Sequence, residues 1–283
     1  MTATLDLVLQ APELGVEDVA AIAELAGAQE IRVLSGSLHE ALRLVRTQAR
    51  AGVAERCAAA GIDHAFVPYD LERNRVRVVA MDMDSTLITI ECIDEIADRA
   101  GIKAEVAVIT ASAMRGEIDF GESLRRRVAL LAGLPVAALE RVYDERVELS
   151  PGAARMLEGF QATGAKTLLV SGGFTFFTDR LKARLGFDET ASNSLEIVEG
   201  RLTGRVMAPI VDAKGKAAAF SDMRRRYAVD GGIAIAIGDG ANDLPMLEAA
   251  DVSIAFHAKP VVRARATYAI DRCGLDAVLN LFA

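Results

Sequence analysis

Residues 76–86 read Val-Arg-Val-Val-Ala-Met-Asp-Met-Asp-Ser-Thr. Five of the first six are apolar and the run is β-rich, the composition of a short strand buried on both faces of a sheet. The run then stops on carboxylates and hydroxyls: Asp82, Asp84, Ser85 and Thr86. Three similar runs follow, KTLLV at 166–170, IAIAI at 233–237 and VSIAF at 252–256. Helical patterns separate most of them, which implies a doubly wound parallel sheet of the α/β class. Two later runs also end in small or polar residues, Ser171-Gly172-Gly173 and Gly238-Asp239-Gly240-Ala241-Asn242-Asp243. In an open parallel sheet the ligand crevice lies beyond the carboxyl ends of the strands. The three tips are therefore expected to converge on one site.

Outward from this run, the stretch 88–149 holds nothing strand-like. Within it Leu124, Val128 and Leu131 recur at i, i+4 and i+7, the mark of an amphipathic helix. A helical insertion at about 88–149 is expected inside an α/β domain spanning 76–283. Upstream, residues 4–10 alternate as a half-buried strand does, followed by a helical pattern over 16–26 and a strand-like piece at 30–34. A longer helical stretch is expected over 38–60 and another strand at 62–68. Residues 1–75 thus read as a small α/β module, bounded by the charged stretch Asp70–Arg75.

A chain of 283 residues fits two domains, or one carrying a large insertion. Its 52% apolar content excludes a disordered chain. A net charge of −8 argues against a nucleic-acid partner, while a locally positive site for an anionic substrate remains compatible with it. Cys57, Cys92 and Cys273 are scattered and odd in number, without metal spacing, so neither a disulfide framework nor a zinc site is expected. The start is acidic and lacks a basic signal-peptide region, and no apolar run approaches the roughly 18–20 residues of a membrane span. A cytoplasmic protein with no membrane partner is expected. His39, His64 and His257 have no ligand-spaced companions.

The chemistry begins with the carboxylates. Asp82 and Asp84 at one tip, with Asp239 and Asp243 at another, repel one another unless a cation or a shared proton neutralises them. A hard divalent cation, Mg²⁺ above all, suits such oxygen ligands. Ser171-Gly172-Gly173 precedes a helical pattern over 174–185, where small residues either let backbone N–H groups approach an anion or simply make a tight turn. Lys214, in Asp212-Ala213-Lys214-Gly215-Lys216, is either the source of a fixed positive charge for a phosphate or a solvated surface residue. No P-loop pattern occurs, and Gly238-Asp239-Gly240 does not continue as a dinucleotide fingerprint, because position 243 is Asp. The runs Arg125–Arg127 and Arg224–Arg226 fan around their helices, so most of these cations are solvated, which leaves room for one of them to point inward.

Asp82-x-Asp84-Ser85-Thr86, Ser171-Gly172-Gly173, Lys214 and Gly238-Asp239-Gly240-Ala241-Asn242-Asp243, in that order, resemble the four motifs of the haloacid dehalogenase superfamily. Glu91, Met114, Phe120-x-x-Ser123-Leu124-x-x-Arg127 and the Ser-Gly-Gly-Phe tip are similar to its phosphoserine phosphatase family. The resemblance covers residues 76–283 and implies Mg²⁺-dependent hydrolysis of O-phospho-L-serine to L-serine and phosphate, the last step of serine biosynthesis. It implies that Asp82 attacks phosphorus to form an aspartyl-phosphate and that Asp84 serves as general acid, then general base. Mg²⁺ would be held by Asp82, Asp239 and the backbone carbonyl of Asp84, with Asp243 auxiliary. Ser171, the Gly172 N–H and Lys214 would hold the phosphoryl oxygens, supported by Gly173 and Asn242.

For the rest of the substrate, the resemblance gives its ammonium to Glu91 and its carboxylate to Arg127, with Met114 and Phe120 lining the closed pocket. Thr89-Ile90 departs from the family, which has polar residues there, and leaves the hydration of that loop open. Residues 1–75 resemble the ferredoxin-like, ACT-type segment that precedes the catalytic domain in bacterial members, on pattern alone and without a motif. Serine binding, dimerisation and simple packing stay open for that segment, as does a homodimer. A related phosphatase or phosphotransferase acting on another small phosphomonoester, such as phosphohomoserine, is the alternative. Intact Asp82, Asp84, Lys214 and Asp239 argue against a regulatory protein with a dead site.

Overall fold

The computed structural model describes residues 5–283; Thr4, expected to open the first strand, lies outside them. The chain begins β1 (Leu5–Ala11), α1 (Val16–Ala26), β2 (Glu30–Leu34), β3 (Glu40–Thr47), α2 (Val53–Ala60) and β4 (Asp63–Pro68). The four strands form one antiparallel sheet in the order β2-β3-β1-β4. This βαββαβ arrangement is ferredoxin-like. Leu7, Leu9, Ile22, Leu44, Val53 and Cys57 fill the space between sheet and helices.

The expected helix over 38–60 is corrected here, because residues 40–47 are strand β3 and only Val53–Ala60 is helical. Glu-Ala-Leu-Arg-Leu-Val-Arg favours a helix locally. However, β3 lies between β1 and β2 and satisfies its backbone on both sides, and that tertiary pairing overrides local propensity.

The second sheet is built from β5 (Val76–Asp82), β6 (Lys166–Phe174), β7 (Glu189–Asn193), β10 (Ile233–Gly238), β11 (Val252–Phe256) and β12 (Tyr268–Ile270). Its six strands are all parallel in the order β12-β11-β10-β5-β6-β7. The alternation in β5 is visible in packing. Val79 and Met81 join one apolar layer with Leu169, Ile235 and Ile237, while Val78 and Ala80 join the opposite layer with Leu168, Val170 and Ala234. Chain order reverses between β5 and β10, which sets a crevice at their carboxyl ends.

An irregular turn, Met83–Leu87, leaves β5 and leads into α3 (Cys92–Arg99), α4 (Lys103–Met114), α5 (Phe120–Ala129) and α6 (Val136–Arg146). The chain returns through a bridge between Ile88 and Leu149, then α7 (Ala153–Gln161) delivers it to β6. After α8 (Thr175–Leu185), a hairpin of β8 (Leu195–Val198) and β9 (Arg201–Val206) backs α5 and its following loop. Reciprocal bonds fix that contact: Gly133 N–H to Leu202 O at 2.8 Å and Leu202 N–H to Leu134 O at 2.9 Å. Helices α9 (Ala213–Tyr227), α10 (Leu244–Glu248) and α11 (Pro260–Arg263) flank the remaining strands.

The carboxyl-terminal 3₁₀ turns, Leu275–Leu281, join the two sheets. Asn280 Nδ2 donates to Gln10 Oε1 at 3.1 Å, and Arg43 Nη2 donates to the Asn280 carbonyl at 3.1 Å. Among the described residues no helix is long and apolar enough to cross a membrane.

Candidate active site

Asp82 is the last residue of β5, with neighbours on both sides of it in the sheet, and its carboxylate is buried. Its Oδ1 accepts the Met83 N–H at 2.7 Å and lies 2.8 Å from the Lys216 ammonium. The same ammonium donates to Asp243 Oδ1 at 2.8 Å, and Asp243 Oδ2 accepts the Gly240 N–H at 3.0 Å. Gly240 and Asp243 belong to the loop after β10, so one lysine ties two strand tips together. Asp239 stands beside them, its Oδ1 taking the Thr86 hydroxyl at 3.0 Å.

The lysine is Lys216, not Lys214 as the sequence reading expected. Asp212 caps α9 through the Gly215 N–H at 2.8 Å, which sets the phase of the helix. That phase buries Lys216, Phe220 and Met223 on one face and leaves Lys214 exposed. The spacing i, i+4, i+7 from Lys216 was present in the sequence and distinguishes the two lysines.

Asp84 follows the turn. Its Oδ1 accepts the Cys92 N–H at 2.8 Å, a free amide of the first turn of α3, and its Oδ2 accepts the Ser171 hydroxyl at 3.2 Å. Gly173 N–H in turn donates to Ser171 Oγ at 2.8 Å. A Cβ at Gly173 would sit 2.9 Å from Asp84 Oδ2, and one at Gly172 would sit 2.9 Å from the Phe120 ring, so both glycines are required by close approach. Ser85 holds a left-handed backbone, φ +56°, fixed by its hydroxyl on Glu91 Oε1 at 2.8 Å and its N–H on the Ile90 carbonyl at 3.2 Å. Ile90 packs partly against the core, which accounts for an apolar residue in that loop.

Two contributors carried no sequence motif. Cys92 acts through its backbone amide. Asn193, fully buried at the end of β7, donates to the Gly172 carbonyl at 2.8 Å and accepts the Val211 N–H at 2.7 Å, which fixes the Gly172 peptide. No periodicity singles out such a clamp.

These groups open into a cleft of about 530 Å³ between the strand tips and the helices of the 92–146 stretch. Its walls bring together Asp82, Asp84, Glu91, Met114, Phe120, Arg127, Gly172, Gly173, Lys216, Asp239 and Asn242. Ser171 and Asp243 are buried just behind, and Met114 stands on the rim, largely exposed. Of the three arginines on α5, Arg125 and Arg126 turn outward toward Glu122, and Arg127 enters the cleft.

The electrostatics are those of a crowded acidic site. Burial, then the neighbouring Asp243, pushes the Asp82 carboxyl well above the usual carboxylate range. Burial also raises Asp84, against the bonds from Cys92 and Ser171 that favour its ionised form. Asp239 is raised by burial and then by Asp243. Glu91 lies on the open mouth of the cleft yet is ringed by protein; burial and then Asp84 push it up to about 7. Lys216 stays firmly charged, because Asp82 and Asp243 outweigh the burial that acts against its ammonium. Burial lowers Arg127 somewhat, with Asp94, Glu91 and Asp84 acting in the opposite sense.

A fit to a divalent cation can be read from this set. One carboxylate oxygen each from Asp82, Asp239 and Asp243 lie within 4.8 Å of one another. Lys216 pairs with Asp82 and Asp243, and Lys259 acts on Asp239 from the cleft wall, so three carboxylates still outnumber two ammonium groups. Carboxylate oxygens of this density are the donors a hard cation takes.

The parallel sheet with acidic strand tips and an intervening run of helices defines a hydrolase class. The family model for haloacid dehalogenase-like hydrolases matches residues 79–248. A phosphoserine phosphatase of Polaromonas is 53% identical over 217 residues, 75% of this chain and 92% of that protein. One from Haemophilus influenzae is 45% identical over 222 residues, covering 78% of this chain and 70% of that protein. A probable phosphoserine phosphatase of Vibrio cholerae, unliganded, superposes with a TM-score of 0.85 at 35% identity, covering 98% of this chain and 85% of that one. A substrate-bound phosphoserine phosphatase gives 0.67 at 34% identity, over 74% of this chain and 99% of that one. The chain therefore belongs to the haloacid dehalogenase-like hydrolases and, within them, to the phosphoserine phosphatase family of phosphomonoester hydrolases.

Proposed function

We propose that this protein hydrolyses O-phospho-L-serine to L-serine and phosphate, the closing step of serine biosynthesis, through a phosphoryl group carried on Asp82. The observation that supports this most strongly is the shared cleft. A buried Asp82–Lys216–Asp243 cluster forms one end, and Glu91 and Arg127 stand at the other. The two ends match a phosphate, and an ammonium with a carboxylate. Solved relatives include a phospho-aspartyl intermediate analogue and a substrate complex of phosphoserine phosphatase.

In this reading the substrate phosphoryl group lies against Lys216, the Ser171 hydroxyl and the Gly172 N–H, which offset the negative charge of its oxygens. Asp82 attacks phosphorus, the bond to the serine oxygen breaks, and protonated Asp84 gives its proton to that oxygen. Burial holds Asp84 toward the protonated form, as a general acid requires. Asp84, now ionised, takes a proton from water; the water oxygen attacks phosphorus and releases Asp82 and phosphate. Asp82, Asp239 and the Asp84 carbonyl would hold Mg²⁺, with Asp243 fixed behind them by Lys216 and Gly240. When bound, the cation offsets the charge on the phosphoryl oxygens and favours ionised Asp82. The helices between residues 88 and 149 serve as a cap, and residues 1–75 as a separate module packed on the catalytic domain.

Phosphate release from a panel of phosphomonoesters, with EDTA and then with restored Mg²⁺, tests this reading. Phosphoserine is expected to be the preferred substrate, hydrolysed only with the metal, and Ca²⁺ is expected to substitute poorly because it takes longer, more numerous oxygen contacts. Full activity in metal-free protein, or preference for a phosphomonoester lacking the amino-acid groups, would overturn it.

A further inference from the structure

The face of α5 that lines the cleft carries Phe120, Ser123 and Arg127, spaced i, i+3 and i+7. Phe120 reaches over Gly172, and the charge of Arg127 is favoured by Asp94, Glu91 and Asp84. Ser123 lies between them. It is 1% exposed, and its hydroxyl has no hydrogen-bond partner among the described residues. A buried hydroxyl without a partner costs about 1–3 kcal/mol. Helical serines usually avoid that cost by bonding the carbonyl four residues back. Here the backbone of Ser123 is engaged instead, with its N–H on Asp119 O at 2.9 Å and its carbonyl taking Arg127 Nε at 3.4 Å.

We infer that Ser123 is a specificity residue, whose hydroxyl donates to the substrate carboxylate beside the Arg127 guanidinium. This rests on the phosphoserine reading and deepens it. Arg127 offers charge and a planar fork, but its Nε is turned toward its own helix, leaving room for a second donor at the carboxylate. Ser123 sits one helical turn before it on the same wall, and a carboxylate oxygen supplies the acceptor that the free protein lacks. The carbonyl of the same residue holds Arg127, so a single side-chain position organises both donors.

Ser123→Ala separates this role from a structural one. An alanine deletes an unpartnered buried hydroxyl within a helix, so the melting temperature is expected to hold or rise. The loss in kcat/KM for phosphoserine is expected to be about tenfold, carried mainly by KM, the size of a hydrogen bond to a charged group. For O-phosphoethanolamine, which keeps the ammonium and lacks the carboxylate, the loss is expected to be several-fold smaller. Ser123→Thr, which restores the hydroxyl, should recover part of the preference. Equal losses on both substrates, no loss on either, or a melting temperature lowered by several degrees would overturn the inference. Failure of the unmodified enzyme to prefer phosphoserine over phosphoethanolamine would instead overturn the assignment of a carboxylate site, and this inference with it.

Discussion

The two ends of the cleft are built on different principles. At the strand tips the side chains are buried and tied to one another: Lys216 bonds Asp82 and Asp243, Gly240 holds Asp243, and Cys92 and Ser171 hold Asp84. On the helical wall, among the described residues, Met114 is open to solvent, Arg127 makes a long contact to its own helix, and the Ser123 hydroxyl has no partner. The first end is fixed before substrate arrives, as electrostatic stabilisation of a transferring phosphoryl group demands. The second has polar groups whose partners come with the substrate. The difference implies that changes at the tips act on every phosphomonoester, whereas changes on the wall act on the choice among them.

The largest effect is expected at Asp82. Asp82→Asn should leave the fold intact and lower turnover by at least about 10⁴-fold on all substrates alike, as loss of a nucleophile does. Steady-state assays on protein whose asparagine is confirmed by mass spectrometry check this. A selective loss would blur the contrast between the two ends.

Lys216→Ala comes next. It leaves two buried carboxylates facing each other, a change that costs about 3–5 kcal/mol of stability and removes a phosphate-binding charge. A fall of about 10³-fold in kcat is expected along with a lower melting temperature. Lys214→Ala, on the exposed side of the same helix, should change neither quantity by more than a few tenths of a kcal/mol. The reverse pattern would assign the phosphate-binding charge to Lys214.

On the wall, Arg127→Ala is expected to cost about 2–4 kcal/mol in kcat/KM for phosphoserine and much less for a phosphomonoester without a carboxylate. Arg125→Ala and Arg126→Ala should stay within a few tenths of a kcal/mol, since both are solvated and share Glu122. Equal losses on both substrates would erase the distinction between a fixed end and a selective one.

The smallest effect is in pH. Glu91, pushed up to about 7, is protonated below that value and loses the charge that attracts the substrate ammonium. KM for phosphoserine should therefore rise as pH falls through about 7, by about tenfold one unit lower. Glu91→Gln should raise KM and flatten that dependence. A KM that falls with falling pH would contradict the assigned role.

What the sequence made legible follows the same division. The apolar runs at 76–81, 166–170 and 233–237 end on polar tips because buried parallel strands leave only their ends for chemistry, and the structure places these three and the run at 252–256 in one sheet. Two lysines separated by one glycine were not distinguished by motif order alone; the helix phase set by Asp212 and shown by Phe220 and Met223 decides between them. Strand β3 was hidden by helix-favouring residues whose pairing comes from β1 and β2, distant information in the case of β1. Asn193 and the Cys92 amide act through single bonds to backbone or carboxylate, contacts that leave no period in the sequence.

The central claim, that the phosphoryl group passes through Asp82, is tested most directly by trapping it. The enzyme is mixed with phosphoserine and Mg²⁺, quenched in acid within milliseconds, digested, and the peptides are mapped by mass spectrometry. A single added phosphoryl group on Asp82, absent in Asp82→Asn and longer-lived in Asp84→Asn, is the result predicted. Rapid phosphate release with no phosphorylated peptide at any quench time, or a phosphoryl group on a residue other than Asp82, would contradict the account.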